Sequence, residues 1–448
     1  MNWTPLPSAG ELARTGRRVR KRVPRTSLAT LTGHSRDPLR ILDEQNATRL
    51  PDLIGLRTER MSASAFAFYR GTAALMAADL ADEPHTGLLV ASCGDAHVSN
   101  FGFYASRMRT LVFDLNDFDE SAWAPWEWDV KRLVASVVIG ARHSGRSKSV
   151  TDRATIGAVL TYRNVLNEAM GLSPTGRFFT HFDAAGGLNR TRGESRRVLK
   201  AAIRSAQKRT GERAVRRLTT EDPDGRRRFI ERPPTMTRMT ASTEAQVHDY
   251  VDRYYESAAT DVRLVLQHYS VSDVSRRVVG VGSVGTRCAL VLFYDRDGHA
   301  LILQSKEANA SVLDQYGRIE QPRQLARIVR AGGQGARVVA LQRILQAVSD
   351  PFLGHLQATG ADLYVRQFRD MKGSIEVDTL EDAPFIEYAR ACAATLARAH
   401  SQSPQAAAIV GYLGSGRGVA EAIAEWSHAY ADLSARDYRD FVTAARKD

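Results

Sequence analysis

The residues best suited to chemistry stand in two neighbouring runs, CGDAHVSNFG and LVFDLNDFDE. The first places a carboxylate, Asp95, and an amide, Asn100, five positions apart on a polar segment that follows a run of small and branched apolar residues. The second ends a similar run with Asp114. Two short strands, each closing in acids and amides, predict a hairpin that presents polar groups at one rim. In such a site one acid takes the proton of an acceptor hydroxyl, while an amide oxygen and a second acid hold magnesium on phosphates. Phosphoryl transfer asks little else of side chains, because positioning and charge neutralisation supply most of the rate.

A second constellation lies almost two hundred positions downstream. GVGSVGT sets Gly280, Gly282 and Gly285 in the pattern G-x-G-x-x-G around Ser283, and missing side chains let backbone amides approach phosphates. A dinucleotide fold requires a helix directly after that pattern, whereas this chain continues as the strand-like TRCALVLFY and a DRDG turn. A nucleotide-covering hairpin fits better, and Lys306, in ALILQSKEA on the third strand, stands where a lysine would grip the phosphates. The next helical run, ARVVALQRILQAVSD, has no central glutamate to hold that lysine, which leaves Glu320, upstream of it, as the substitute.

GDAHVSN resembles the GDxHxxN loop of the aminoglycoside phosphotransferase and choline kinase branch of protein-kinase-like enzymes, and VFDLND resembles the strand that carries their metal-binding aspartate. The resemblance implies Asp95 as catalytic base, Asn100 as a metal ligand and Asp114 as the main one, with Asp117 in its place if the register is shifted. In WEWDVKRL, Asp129 matches an aspartate of structural role in those enzymes. The resemblance also implies ATP and Mg2+ (or Mn2+) as cofactors. The usual order of the motifs is reversed here, so the implied fold is a circularly permuted, two-lobed α+β kinase-like architecture with additional helices. Over almost its whole length, through RMSASAFAFYRG, CGDAHVSNFG, PWEWDVKRL and YVRQFRDMKGS, the chain also resembles the bacterial family catalogued as domain of unknown function 2252, a membership that names no substrate.

The elements that must position these groups follow from periodicity. Residues 1–36 hold GRRVRKRVPR and little apolar periodicity, which predicts a flexible basic arm. Residues 37–270 read as a helical large lobe with a basic insertion between Arg190 and Arg232, residues 271–375 as a small antiparallel lobe, and residues 376–448 as helices completing the large lobe. The net charge of +12 favours acidic partners such as nucleotides; nucleic acid is possible but not favoured. No run approaches the roughly 20 apolar residues of a membrane helix, and three widely spaced cysteines suggest neither a disulfide framework nor a zinc site, so a cytoplasmic protein is expected.

Each sharp reading has a plainer competitor. Cys93 is read as a packed strand-end residue, His97 as a brace for its loop, and Arg70 and Lys131 equally as phosphate contacts or structural ion pairs. The expected function is transfer of the γ-phosphoryl group of ATP to a hydroxyl of a small molecule or protein. The alternatives are nucleotidyl transfer (AMPylation), a metal-dependent hydrolase using Asp95, Asp114 and Asp117, and a non-catalytic nucleotide sensor.

Overall fold

The computed structural model describes residues 6–32, 36–278, 280–368 and 370–446. At its centre lies the helix Trp126–His143, in which every residue from Trp126 to Ala141 is buried. A helix covered all round must find a partner for each charge it carries. Glu127 accepts the Thr86 hydroxyl at 2.9 Å, Asp129 accepts the amides of Cys93 and Gly94 at 2.8 and 3.0 Å, Lys131 meets Glu83 at 2.6 Å, and the Arg132 guanidinium meets Asp95 at 2.8 Å. Lys131 is thereby a structural pair. Its ammonium also lies 4.4 Å from the centre of the Trp426 ring, whose indole N–H donates to Glu83. The helices Lys148–Met170, Asp382–His400 and Arg417–Ala444 pack around this axis and share its apolar core.

The strands divide into small ladders and one larger sheet. β1 (Leu89–Ser92), β2 (Phe101–Ala105), β3 (Leu111–Leu115) and β4 (Ala122–Pro125) follow one another, but β1 pairs with β4 and β2 with β3. The hairpin expected from the two acidic runs is therefore replaced by a nested arrangement. A turn closed by the Ser106 amide on the Thr110 carbonyl at 2.8 Å returns β2 into β3, while AWAP, too short to read as a strand, pairs with β1. β5 (Thr219–Glu221) and β6 (Arg227–Phe229) form a hairpin over the turn at Asp222–Gly225.

Six strands, β7 (Met236–Arg238), β8 (Ser270–Arg277), β9 (Cys288–Tyr294), β10 (Ala300–Glu307), β11 (Gly354–Ala358) and β12 (Ala361–Gln367), form an antiparallel sheet in the order β11-β12-β10-β9-β8-β7. Lys306 on β10 stands opposite Cys288 of β9 and Tyr364 of β12. The helix Arg323–Leu345 crosses against β11 and β12 and kinks at Gly333, whose φ of 73° and contact with the Asp362 carboxylate exclude a side chain. The architecture is a mixed α+β fold.

The segment expected to be a flexible arm contains an ordered helix, Ala9–Arg22, opened by a capping box between Ser8 and Glu11. It crosses the helix Ala406–Leu413 at very short range. A Cβ on Gly16 would fall 1.7 Å from the Ala408 carbonyl oxygen, and one on Gly411 would fall 2.0 Å from that of Ala13. Small residues form this seam, so it leaves no apolar stripe to read. The arginines of the arm cap the partner helix, with Arg20 Nε and Arg25 Nε each 2.9 Å from the Tyr412 carbonyl. Among the described residues no helix is long and apolar enough to cross a membrane.

The buried Lys131–Glu83 pair yields a test of the core. Glu83→Ala strands an ammonium in the interior and is expected to cost about 3–5 kcal/mol in urea unfolding, whereas adding Lys131→Met to it should restore most of the loss. Equal destabilisation in the single and double variants would show that the pair does not govern this part of the core.

Candidate functional site

The loop after β1 is shaped before any side chain points outward. Gly94 takes φ 78° with its Cα against the Glu120 carbonyl, where a Cβ would sit 2.1 Å from that oxygen, and its amide is held by Asp129. Asp129 is itself braced by His400, 3.2 Å away, whose other ring nitrogen meets the Tyr162 hydroxyl at 2.8 Å. Beyond Gly94 the chain closes on itself. The Asp95 carbonyl accepts the His97 amide at 2.9 Å and the Asn100 side-chain N–H at 2.8 Å. With its Nδ2 so used, Asn100 keeps its amide oxygen for the cleft that it lines.

The Asp95 carboxylate receives Arg132 Nε at 2.8 Å and has His97 Nε2 3.5 Å from its other oxygen. Burial raises the Asp95 pKa, and Arg132 offsets only part of that rise. Burial, with Arg70 and Arg132 nearby, holds the His97 pKa well below its ordinary value. The His97 side chain, expected to brace the loop by hydrogen bonds, makes only this 3.5 Å approach to Asp95 among the described residues, and its Nδ1 is buried without a hydrogen bond. Cys93 is buried behind the loop, and burial followed by Asp129 pushes its thiol pKa far up, which removes nucleophilic character.

The second wall comes from the segment after β3. Asp114, expected as the main metal ligand, does not line the cleft. It points into the core, where its two oxygens accept the Leu115 and Ala347 amides at 2.9 and 3.0 Å and Arg398 lies 3.8 Å away. The reason is strand parity: Asp114 still belongs to β3 and pairs with Gly102, while Asp117 follows the strand and enters the cleft. One oxygen of Asp117, Oδ1, is buried without a hydrogen bond, with Lys306 Nζ 3.6 Å away. Burial works against ionisation of Asp117, but Lys306, Arg366 and Lys372 outweigh it and its pKa falls below the usual carboxylate value.

Lys306 is buried and forms its shortest contact with Asp119, which also accepts the Tyr364 hydroxyl at 2.6 Å. Burial opposes the charge on Lys306, yet Asp117 and Asp119 raise its pKa well above the ordinary value. The carboxylate partner missing from the helix is thus supplied by the acidic loop, and Glu320 is exposed. In the middle of that helix stands Arg337, which donates to the backbone carbonyls of Asp119 and Asn309, both at 2.8 Å, and also to that of Ser121. The Lys–Asp and Arg337 contacts tie the sheet and its crossing helix to the acidic loop. Glu120, beside them, has its pKa pushed up to about 7 by burial.

The glycine-rich segment forms the roof. Gly280 and Gly285 have φ of 71° and 91°, and the loop is held by its carbonyls: Arg60 donates to Gly280 at 2.7 Å, the Leu50 amide to Gly285 at 2.8 Å, and Arg49 to Val284. Gly282 approaches the Arg70 carbonyl, so that a Cβ there would lie 3.3 Å from it. Asp95, Asn100 and Asp117 from one stretch, and Gly280, Gly282 and Ser283 from the other, line a single cleft of about 360 Å³. Arg70 and His97 line it too, Lys306 reaches its acids from the sheet, and Asp129 stands behind it. The sequence leaves Asp119, with Glu120, as either a solvated acid or a second metal ligand, and offers no sign of Arg337, Tyr364 or Arg49. The three acids in DFDE were the available signal for the first; the others are ordinary residues until the chain folds. A compact acid and histidine group at Asp295, Asp297 and His299 lies in the β9–β10 turn, where Asp295 accepts the turn's own amides.

Residues 49–444 match the family described as "Uncharacterized protein conserved in bacteria (DUF2252)". The chain belongs to this family. No curated protein and no solved structure matches it. In this DUF2252 chain the matched region contains every residue that lines the cleft except Glu44, Gln45 and Thr48.

Asp129 offers the sharpest local test. Asp129→Asn sets an amide N–H toward a backbone donor, and is expected to cost about 1–3 kcal/mol and to speed hydrogen exchange at the Cys93 and Gly94 amides. Unchanged protection at those two amides would mean that another contact holds the loop.

Proposed function

We propose that this cleft is an ATP- and magnesium-dependent phosphotransferase site of the protein-kinase-like kind, with its parts in permuted order. The observation that carries the reading is the meeting of the Asp95–Asn100 loop, Asp117 and the Gly280–Gly285 turn around one cleft, although the sequence separates them widely. The connectivity of the sheet supports it as well. The glycine turn joins β8 to β9, Lys306 stands on β10, the helix Arg323–Leu345 lies between β10 and β11, and β12 leads to the helix Asp382–His400. That is the order of parts in the kinase small lobe and its exit, followed here at the chain's end by helices instead of the catalytic loop.

In the proposed reaction the acceptor hydroxyl oxygen forms a bond to the γ-phosphorus of ATP as the bond from that phosphorus to the β,γ-bridging oxygen breaks. The hydroxyl proton passes to the Asp95 carboxylate and ADP leaves. The raised Asp95 pKa makes this carboxylate a better proton acceptor, and Arg132 holds it in place. The buried Oδ1 of Asp117 without a hydrogen bond and the free amide oxygen of Asn100 are an oxygen donor set of the kind magnesium takes. When bound, the ion neutralises charge on the phosphates. In this reading Lys306, buried behind the cleft wall, holds Asp117 and Asp119 in place beneath the phosphates, and Asp119 does the work usually given to a helix glutamate.

Calorimetric titration of ATP with magnesium tests the reading. Wild type should bind with an affinity that depends on the ion. Asp117→Ala and Lys306→Ala should each weaken binding by at least about tenfold, whereas Asp114→Asn should lower the melting temperature and leave the metal dependence intact. Binding that is indifferent to both Asp117→Ala and Lys306→Ala in folded protein would overturn it.

A further inference from the structure

The cleft has a second character that phosphate transfer from ATP does not by itself require. Beside its acids are cations with no carboxylate partner. Arg49 and Arg70 both line the cleft, and Arg57 lies directly behind them, 1% exposed. None of the three has a carboxylate within ion-pair distance among the described residues, and the Nε of each is buried without a hydrogen bond. Their contacts are neutral: Arg57 donates to the Asn46 side-chain oxygen at 2.8 Å and to the Gly71 carbonyl at 3.5 Å, and Arg49 to the Val284 carbonyl. Burial lowers the pKa of all three, that of Arg57 to about 9, with the Arg49 charge adding to the effect.

Other interior arginines find partners: Arg337 is held by three backbone carbonyls, and two others meet carboxylates. Arg36 takes Asp79 and Asp437, and Arg132 takes Asp95. Leaving three guanidiniums together without counter-ions costs free energy that an anionic ligand would return. Their position narrows the ligand. Arg70 lines the same cleft as Asp95 and Asp117, the groups that would meet the acceptor and the transferred phosphoryl group in the proposed reaction. In the phosphotransferase reading the phosphates of the nucleotide lie under the glycine turn. Arg49, Arg57 and Arg70 come instead from the helical segment that also contributes Glu44, Gln45 and Thr48 to the rim of the cleft.

We propose that the acceptor is itself a phosphate monoester, a small hydroxyl-bearing molecule whose dianionic phosphate sits between Arg70 and Arg49 while its hydroxyl faces Asp95. This deepens the phosphotransferase reading and rests on it. Guanidinium groups bind phosphate through paired N–H donors, and two of them against one dianion give both charge balance and orientation.

The test uses the full chain saturated with magnesium and the β,γ-imido analogue of ATP, which fills the γ-phosphate position, and titrates inorganic phosphate by calorimetry with acetate in a parallel arm. Phosphate should bind wild type more tightly than acetate does. Arg70→Gln should weaken phosphate at least tenfold while changing affinity for the imido analogue less than threefold, and Arg70→Lys should fall between. Thermal melting within a few degrees of wild type establishes that the variants fold, and Arg49→Lys, which keeps the charge beside the glycine turn, gives a second reading if Arg70→Gln does not.

Phosphate binding unchanged by Arg70→Gln, no phosphate binding to wild type, or equal preference for acetate would each overturn the proposal. A parallel loss of the imido analogue would do the same by assigning the arginines to the nucleotide. If wild type fails to bind the analogue at all, the phosphotransferase reading falls first. Phosphate binding that still depends on Arg70 in that case would preserve the anion site without its role as acceptor site.

Discussion

The structure depends on one constraint, the burial of a helix that carries ionised side chains on several faces. Trp126–His143 runs through the core, and its Glu127, Asp129, Lys131 and Arg132 are each satisfied by a group from another part of the chain. Taking a charge out of water is tolerable only with a partner in good geometry, so these four residues dictate where their partners must be. Two of them set the candidate site. Asp129 fixes the backbone of the loop at Cys93 and Gly94, and Arg132 fixes the carboxylate that the loop presents. The other two, through Thr86 and through Glu83 with Trp426, secure the entry to β1 and the C-terminal helix.

The cleft above that helix carries charges of both signs. Asp95, Asp117, Asp119 and Glu120 line it together with Arg49 and Arg70, and Glu44 and Glu307 join them, under a turn whose glycines allow close approach. Only some of these charges cancel. Lys306 is consumed by Asp119 and Asp117, and the Arg132 charge by Asp95, whereas Asp117 keeps an unbonded oxygen and the arginines keep unbonded nitrogens. The free-energy cost of this arrangement is met by the surrounding core, which is continuous from the Ala65–Arg70 helix to Phe441.

Much of this was legible in the residues. The three apolar runs around GVGSVGT appear as β8, β9 and β10, DLYVRQF lies within β12 and its exit, and the amphipathic patterns at the chain's end are the helices Asp382–His400 and Arg417–Ala444. The failures have physical causes. GHLQA carries too little apolar alternation to announce β11, and AWAP is too short to announce β4, yet each is decided by the strand beside it. The Ala9–Arg22 helix was hidden because its seam is built from glycine and alanine, where backbone-to-backbone contact replaces the apolar stripe on which helical reading depends. Asp114 and Asp117 illustrate the finest limit: in a run of closely spaced acids, a shift at the end of a strand exchanges an acid held in the core for one that lines the cleft.

By itself the sequence determined the types of group available, namely the acids and amide of GDAHVSN and DLNDFDE, the glycines of GVGSVGT and the lysine of LQSKEA, and the class of element carrying each, because these follow from local composition and period. Only the tertiary structure decided which of them share a space, which acid anchors Lys306, and which arginines remain without a counter-ion. Those outcomes depend on contacts between residues as much as two hundred positions apart and on the desolvation of each charge, neither of which is encoded in the neighbourhood of any one residue.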